Sequence, residues 1–201
     1  RDQLVLSGRI NDVGAYNRVN VGQSYRTGIE LETGFQMSTA LRWNINATFS
    51  RNKIRRFTEY LDNFDTGNQE VKNYARTDIA FSANQIMGSQ LTYTLAKGLD
   101  LSLLSKYVGK QYLDNTSNES RKLNPYFVND IRLAYVWKPP TRRTGFAEEI
   151  GLTLLLNNVL NELYESNGYT YAYVSEGTTR ADNAYYPQAG RNALVGLRMR
   201  F

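Results

Sequence analysis

The closing stretch "ALVGLRMRF", residues 193–201, alternates between two kinds of side chain up to the last residue. Its apolar residues fall on one face of an extended strand and are Ala193, Val195, Leu197, Met199 and Phe201. The opposite face carries Leu194, Gly196, Arg198 and Arg200. Because the termini of soluble domains usually fray, so regular a stripe predicts that the last residues are paired in a sheet.

The same alternation recurs along the chain, whereas helical periodicity is rare. It is clearest in "SYRTGIELETGF" (24–35) and "LRWNINATFS" (41–50), and it is weaker at 2–13, 77–95, 99–112, 126–138 and 149–161. With the closing strand, these segments predict eight strands. Several are longer than the roughly 5–6 residues of a typical globular strand. No apolar run reaches the ~18 residues of a membrane helix. The pattern therefore predicts an all-β fold, an antiparallel transmembrane β-barrel.

The connections between these segments differ in length. Residues 36–40, 96–98 and 138–148 are shorter, whereas 57–77, 112–125 and 162–190 are long and polar. Outer-membrane barrels have short periplasmic turns and long extracellular loops. If Phe201 lies at the periplasmic end, antiparallel pairing places all three shorter turns on that side. Aromatic residues beside these turns, such as Trp43 and Trp137, are typical of an interfacial girdle.

In this arrangement the polar face of each strand points into the lumen. A lipid-facing Arg or Lys near the bilayer midplane costs about 2–4 kcal/mol, so a shift of the register by one residue is excluded. We expect six charged residues to face the lumen: Arg26, Glu30, Glu32, Arg42, Arg132 and Arg198. Glu30 and Glu32 are expected to form ion pairs there rather than to act as an acid and a base.

Composition excludes several other functions. The chain contains neither Cys nor His, so catalysis by those residues and zinc sites built on them are excluded. Its net charge is +5, but the basic residues are scattered, so we expect no nucleic-acid partner. In the loop 61–73, Asp62, Asp65 and Glu70 are possible calcium ligands, yet their spacing does not match the EF-hand template. We expect no enzyme activity, no cofactor and no metal.

The connection 162–190 is rich in tyrosine. Its candidates for contact with a ligand above the barrel mouth are Tyr169, Tyr171, Tyr173, Tyr185 and Tyr186. Such rings could stack on a sugar or an aromatic ligand while their hydroxyls form hydrogen bonds. Alternatively, "YTYAYV" extends a hairpin whose aromatic residues pack across the strands.

Three segments resemble a known family. They are "GLDLSLLSKYVGKQYLDNTSNESRKLNPYFVNDIRLAY" (98–135), "LTLLLNNVLNELYESNGYTY" (152–171) and "YYPQAGRNALVGLRMRF" (185–201). Their order and spacing are similar to those at the end of TonB-dependent receptors of the type abundant in Bacteroidetes. The resemblance covers essentially all 201 residues. It implies that residues 1–201 form about eight C-terminal strands of a barrel of about 22 strands.

The resemblance also implies a function and partners. A receptor of this family lies in the bacterial outer membrane and imports a scarce ligand, such as a siderophore, cobalamin or an oligosaccharide, with energy supplied through the TonB complex. A plug domain, which the lumen-facing charges would contact, fills the barrel together with the remaining strands. The plug and roughly the first fourteen strands are expected to lie outside these 201 residues. Leu197, Met199 and Phe201 resemble the terminal signal that the barrel-assembly machinery recognises.

Two alternatives remain from the sequence alone. A complete eight-stranded outer-membrane barrel with a structural or adhesion role has the minimum strand number for closure. It would require the first strand to pair with the last. A soluble β-sandwich that binds a ligand such as a carbohydrate would also show alternation, but with shorter strands.

Overall fold

The computed structural model describes residues 3–10, 16–139 and 147–201. Its strands, in chain order, are β1 (Gln3–Ile10), β2 (Tyr16–Val21), β3 (Ser24–Gln36), β4 (Leu41–Asn63), β5 (Asn68–Asp78), β6 (Gln85–Ala96), β7 (Leu99–Val108), β8 (Gln111–Tyr112), β9 (Lys122–Leu123), β10 (Tyr126–Trp137), β11 (Glu149–Asn157), β12 (Glu165–Ser175), β13 (Thr178–Pro187) and β14 (Asn192–Arg200). The all-β prediction is confirmed for this part of the chain.

One curved antiparallel sheet, which we call the wall, forms most of the fold. Its strands pair in the order β3, β4, β6, β7, β10, β11 and β14. Along β4 the partner changes, because residues 41–49 pair with β6 whereas residues 53–63 pair with β5. The predicted transmembrane barrel strands from residue 24 onward therefore lie in the wall, and the sheet is curled as part of a barrel.

The first predicted strand, residues 2–13, does not join the wall. Its described part is β1, which pairs with β2 in a separate two-stranded sheet, whereas residues 2 and 11–13 lie outside the described residues. Val5 and Val21 pack in a buried cluster with Ile54, Phe57 and Ile79. Alternation indicates that one face of a strand is apolar, but it does not show whether protein or lipid contacts that face. The sequence pattern therefore did not distinguish a strand packed on β4 from a strand of the wall.

Other predicted boundaries also differ. The segment 77–95 is not one strand, because residues 79–84 separate β5 from β6 where β4 changes its partner. The connections 57–77 and 162–190 contain strands rather than open loops, namely the end of β4 with β5 and the hairpin β12–β13. Polar strands that pair above a membrane lack the apolar stripe on which the strand prediction depended.

The register places the two kinds of side chain on opposite faces of the wall. One register row on the outer face is apolar and contains Leu41, Tyr93, Leu101, Leu133, Leu154 and Val195. A neighbouring row on the inner face begins with Arg42, Thr92, Ser102 and Arg132. Val195 is 74% exposed, although it is fully apolar. Such exposure is what an outer face covered by lipid requires.

The turns 36–40 and 96–98 lie at the edge of the wall where β14 ends, as the sequence predicts. β10 ends and β11 begins at the same edge, whereas residues 140–146 of the third turn lie outside the described residues. Phe35 and Trp43 lie there with ring centroids 6.3 Å apart. Trp137 pairs in register with Ile150, which in turn pairs with Met199. The strands β5, β8, β9, β12 and β13 form a layer at the opposite end. We call it the extracellular layer, because the short turns of outer-membrane barrels face the periplasm.

Within the described part of the chain, no helical segment has the length and hydrophobicity needed to cross a membrane.

Candidate functional site: the extracellular layer and the lumenal face

A buried ionic cluster fixes the loop between β7 and β10 to the upper part of β4. The Arg121 side chain, which is 2% exposed, donates from Nη1 to Glu59 Oε1 at 2.5 Å and to Asp114 Oδ2 at 2.8 Å. Tyr74 donates its hydroxyl to the other oxygen of Glu59, at 2.7 Å. Burial and the Glu59 carboxylate raise the pKa of Tyr74, so this hydroxyl remains a donor at neutral pH.

An exposed cluster lies on the same loop. Glu119 accepts hydrogen bonds from Lys110, from Lys122 at 2.7 Å and from the Tyr112 hydroxyl at 2.6 Å. The ammonium group of Lys110, followed by Lys122 and Tyr112, lowers the pKa of Glu119 to about 2. Because Glu119 is exposed, solvent screens these interactions, and they contribute less to stability than the buried contacts of Arg121.

The tips of the two long hairpins bind each other. Asp65, at the tip of β4–β5, accepts from the backbone N–H groups of Glu176 and Gly177, both at 2.8 Å, at the tip of β12–β13. These backbone hydrogen bonds lower the pKa of Asp65 below the usual value of an aspartate. Phe64 packs edge-on against Tyr173 with centroids 5.4 Å apart. The two hairpins therefore form one extracellular layer, which also includes a short parallel pairing of β12 with β4.

The three carboxylates considered as calcium ligands, those of Asp62, Asp65 and Glu70, accept hydrogen bonds from protein groups. Asp62 accepts from Tyr171 at 2.9 Å and from Gln69 at 2.8 Å, and Glu70 accepts from Asn63 at 2.6 Å. Among the described residues no group of three acidic side chains is placed to hold a metal ion. Asp62, Asp65 and Glu70 instead stabilise the hairpins.

The five candidate tyrosines separate into two groups. Tyr171 and Tyr173 stack with centroids 5.5 Å apart and contact the β4–β5 tip, so they pack between hairpins. Tyr169 and Tyr186 form a looser pair at 6.4 Å, and each is 54% exposed. Tyr185 is 41% exposed. The three exposed rings, Tyr169, Tyr185 and Tyr186, are therefore the ones available to a ligand.

A cavity of about 480 Å³ lies beneath the two hairpins. β12 contributes Tyr169 and Tyr171 to its lining, and the β7–β10 loop contributes Asp114 and Asn115. Apolar lining comes from β1 and from the segment after β5, including Val5 and Phe81. A concave site that combines aromatic rings with a few polar groups is typical of small-molecule binding.

The six charged residues expected to face the lumen share one face of the wall. Arg42 and Arg132 belong to one register row, and Glu30 and Glu32 pair with Thr48 and Asn46 on the same side. Arg26 and Glu30 line a second cavity of about 540 Å³ on this inner face. Arg198 lies on the same side of β14 and binds Glu149.

The residues that the sequence analysis missed are those of the buried cluster, namely Glu59, Arg121 and Asp114. Each lies in a polar segment, and nothing in the spacing of these residues sets them apart from exposed charges nearby. The distance between Arg121 and Glu59 along the chain is 62 residues, so only the fold brings them together.

The wall and the extracellular layer together define a segment of an outer-membrane β-barrel. No family model and no curated protein sequence matches the chain. Among solved structures, it is similar to the siderophore receptor PiuA from Acinetobacter baumannii, with a TM-score of 0.65 and 16% identity over 98% of this chain. It is also similar to the ferric yersiniabactin uptake receptor FyuA from Yersinia pestis, with a TM-score of 0.61 and 20% identity over 92% of the chain.

A third similar structure is the ferric-catecholate import receptor Fiu from E. coli K12, with a TM-score of 0.57 and 14% identity over 98% of the chain. This chain covers 24%, 25% and 22% of PiuA, FyuA and Fiu, so it spans about a quarter of their length. The resemblance to TonB-dependent receptors is thus confirmed for the fold.

Proposed function

We propose that residues 1–201 form a C-terminal portion of the barrel of an outer-membrane receptor that imports a scarce ligand. The wall with its extracellular layer carries this proposal, since its fold matches import receptors over nearly the whole chain. The proposed partners are outer-membrane lipid, the remaining barrel strands, a plug domain against the lumenal charges and the TonB complex. The proposed role involves no catalysis.

We favour a ferric siderophore as the ligand. PiuA, FyuA and Fiu are, by their names, siderophore or ferric-siderophore receptors. The exposed rings of Tyr169, Tyr185 and Tyr186 support a ligand with planar groups, because aromatic rings stack on such groups. Cobalamin and oligosaccharides are the competing ligand classes.

The pairing of the edge strands bears on the alternative of a complete eight-stranded barrel. Closure would require the first predicted strand to pair with the last. In the described ranges, β1 pairs with β2 and β14 pairs with β11. Among the described residues, β3 pairs with β4 and β14 pairs with β11, so the other edge of each strand is available for further strands of a larger barrel.

Uptake measurements on the full-length receptor test the proposed function. We expect uptake of ⁵⁵Fe-labelled siderophore to require both the receptor gene and TonB. Replacing both Tyr169 and Tyr186 by Ala should reduce uptake about tenfold, through two lost aromatic contacts. The lipid-facing Tyr135→Ala is the matched control and should leave uptake unchanged. If the uptake of every tested ligand continued without TonB, the proposal would be contradicted.

We also propose that Leu197, Met199 and Phe201 form the assembly signal at the end of β14. Leu197 and Phe201 are 63% and 78% exposed, so the assembly machinery can reach them on the outer face. Deletion of Phe201 should lower the amount of folded receptor, measured by heat-modifiable migration of outer-membrane fractions. Ligand affinity per folded receptor should change little. Arg200→Ala, on the opposite face, should assemble normally, and normal assembly without Phe201 would refute this role.

A further inference from the structure

A short segment crosses the inner side of the structure between β5 and β6. This strap, residues 79–84, lies where β4 changes partner. Both of its ends are fixed: Ile79 N–H donates to Asn52 O at 3.0 Å, and Ser50 N–H donates to Asn84 O at 2.8 Å. Its middle is held by Phe81 N–H, which donates to Tyr112 O at 3.0 Å. The strap therefore has a defined position between the extracellular layer and the lumen.

The two cavities meet at the strap. The upper cavity, beneath the hairpins, and the lower cavity, on the lumenal face, share three lining residues, namely Arg26, Phe81 and Ser82. A molecule that moves from the upper cavity into the lower one therefore passes these three side chains. We call this place the neck.

Arg26 is the charged residue of the neck. Its Nη1 donates to Asn52 Oδ1 and to Ser82 Oγ, both at 3.2 Å. Both acceptors are neutral, and among the described residues Arg26 makes no ion pair. The upper cavity also contains the carboxylates of Glu59 and Asp114, but both are bound by Arg121. The lower cavity contains the carboxylate of Glu30, which lies four residues along β3 from Arg26 and is not one of the three residues of the neck. Within the ranges that the structure describes, the remaining guanidinium N–H groups of Arg26 have no hydrogen-bond acceptor, so they face the neck as donors.

Phe81 adds an apolar ring held in an unusual backbone conformation. Its φ is 52°, in the left-handed region that non-glycine residues rarely adopt. Phe81 is 43% exposed and lines both cavities. Backbone strain of this kind persists where surrounding contacts impose it, and it is frequent at sites that bind ligands.

We propose that Arg26, Ser82 and Phe81 form an anion-selective neck through which the imported ligand passes from the upper cavity to the lumen. The inference rests on the proposed import function and adds a ligand chemistry to it. The ligand carries a carboxylate or a similar small anionic group beside a planar apolar part. The guanidinium of Arg26 binds the anionic group, and the ring of Phe81 contacts the planar part.

Three small probes of the same shape test the charge preference. Benzoate, benzamide and benzamidine carry charges of −1, 0 and +1 at neutral pH. Their binding to the purified full-length receptor in detergent is measured by saturation-transfer NMR. We expect benzoate to bind at least about tenfold more tightly than benzamidine, with benzamide between them. Phe81→Ala should weaken all three probes while leaving their order unchanged.

Substitutions of Arg26 test whether this residue causes the preference for benzoate. Arg26→Gln should remove most of the preference for benzoate, whereas Arg26→Lys should retain it because the charge remains. Arg42→Gln is the matched control, since Arg42 also faces the lumen but lines neither cavity. Heat-modifiable migration verifies that each variant is folded. Equal binding of benzoate and benzamidine to the parent receptor, or an equal loss in Arg26→Gln and Arg42→Gln, would overturn the neck.

Binding of these probes requires neither TonB nor transport. If the receptor prefers benzoate but imports no ligand, the neck is supported and the proposed function is refuted. If the receptor imports its ligand but shows no charge preference, only the neck is refuted.

Discussion

Replacement of Arg121 by Met is expected to destabilise the extracellular layer by about 3–5 kcal/mol, because two carboxylates would lose their buried cationic partner. Glu59 is 5% exposed and would be left without a counter-charge. The loop between β7 and β10 would then detach from β4. Hydrogen–deuterium exchange measures this effect at Leu113 N–H, which donates to Arg121 O, and at Phe81 N–H. Exchange at both amides should become faster by about two to three powers of ten.

The exposed ion pair of Lys110 with Glu119, on the same loop, provides the control for Arg121. Lys110→Met removes an ion pair whose side chains are 45% and 57% exposed. Solvent screening makes such a pair contribute little to stability. Equal exchange rates in Arg121→Met and Lys110→Met would show that the buried cluster does not hold the loop. Amides of the wall, such as that of Leu133, should keep their protection in both variants.

The second large effect is expected on the outer face of the wall. Leu154 lies in the middle of β11, between Leu133 and Val195 of the neighbouring strands. Leu154→Arg would place a guanidinium in lipid near the midplane, at a cost of about 2–4 kcal/mol. We expect a lower urea midpoint for refolding of the full-length receptor into phospholipid vesicles.

The adjacent residue gives the matched control for Leu154. Thr153 faces the lumen beside Gly196, where the two residues leave room for a longer side chain. Thr153→Arg should therefore change the urea midpoint by less than half as much as Leu154→Arg. If the two variants were equally unstable, the assignment of the outer face would be wrong.

The wall could be predicted from the sequence because lipid on one face imposes an apolar residue at every second position. The stripe on β14 and the charges of β3 both follow this rule, and the register places them on opposite faces of the wall. The same rule failed for residues 2–13. There, Val5 is buried by Val21, Ile54, Phe57 and Ile79 rather than by lipid, and alternation cannot separate these two environments.

The candidate site was less accessible to such patterns. The tyrosines of β12 and β13 were visible as an unusual composition, but only the fold shows that Tyr171 packs on Asp62 while Tyr169 stays exposed. Arg26 was predicted to face the lumen, and its place between two cavities depends on the strap. Contacts between segments far apart in sequence determine these positions, and they leave no periodic signal.

β4 belongs to both layers of the structure. It extends over 23 residues, or roughly 75 Å at about 3.3 Å per residue, from the periplasmic turn to the hairpin tip. Its hydrogen bonds run from β3 and β6 below to β5 above. The two layers therefore share one backbone, because the hydrogen bonds that hold the hairpin tip belong to the same strand that pairs within the wall.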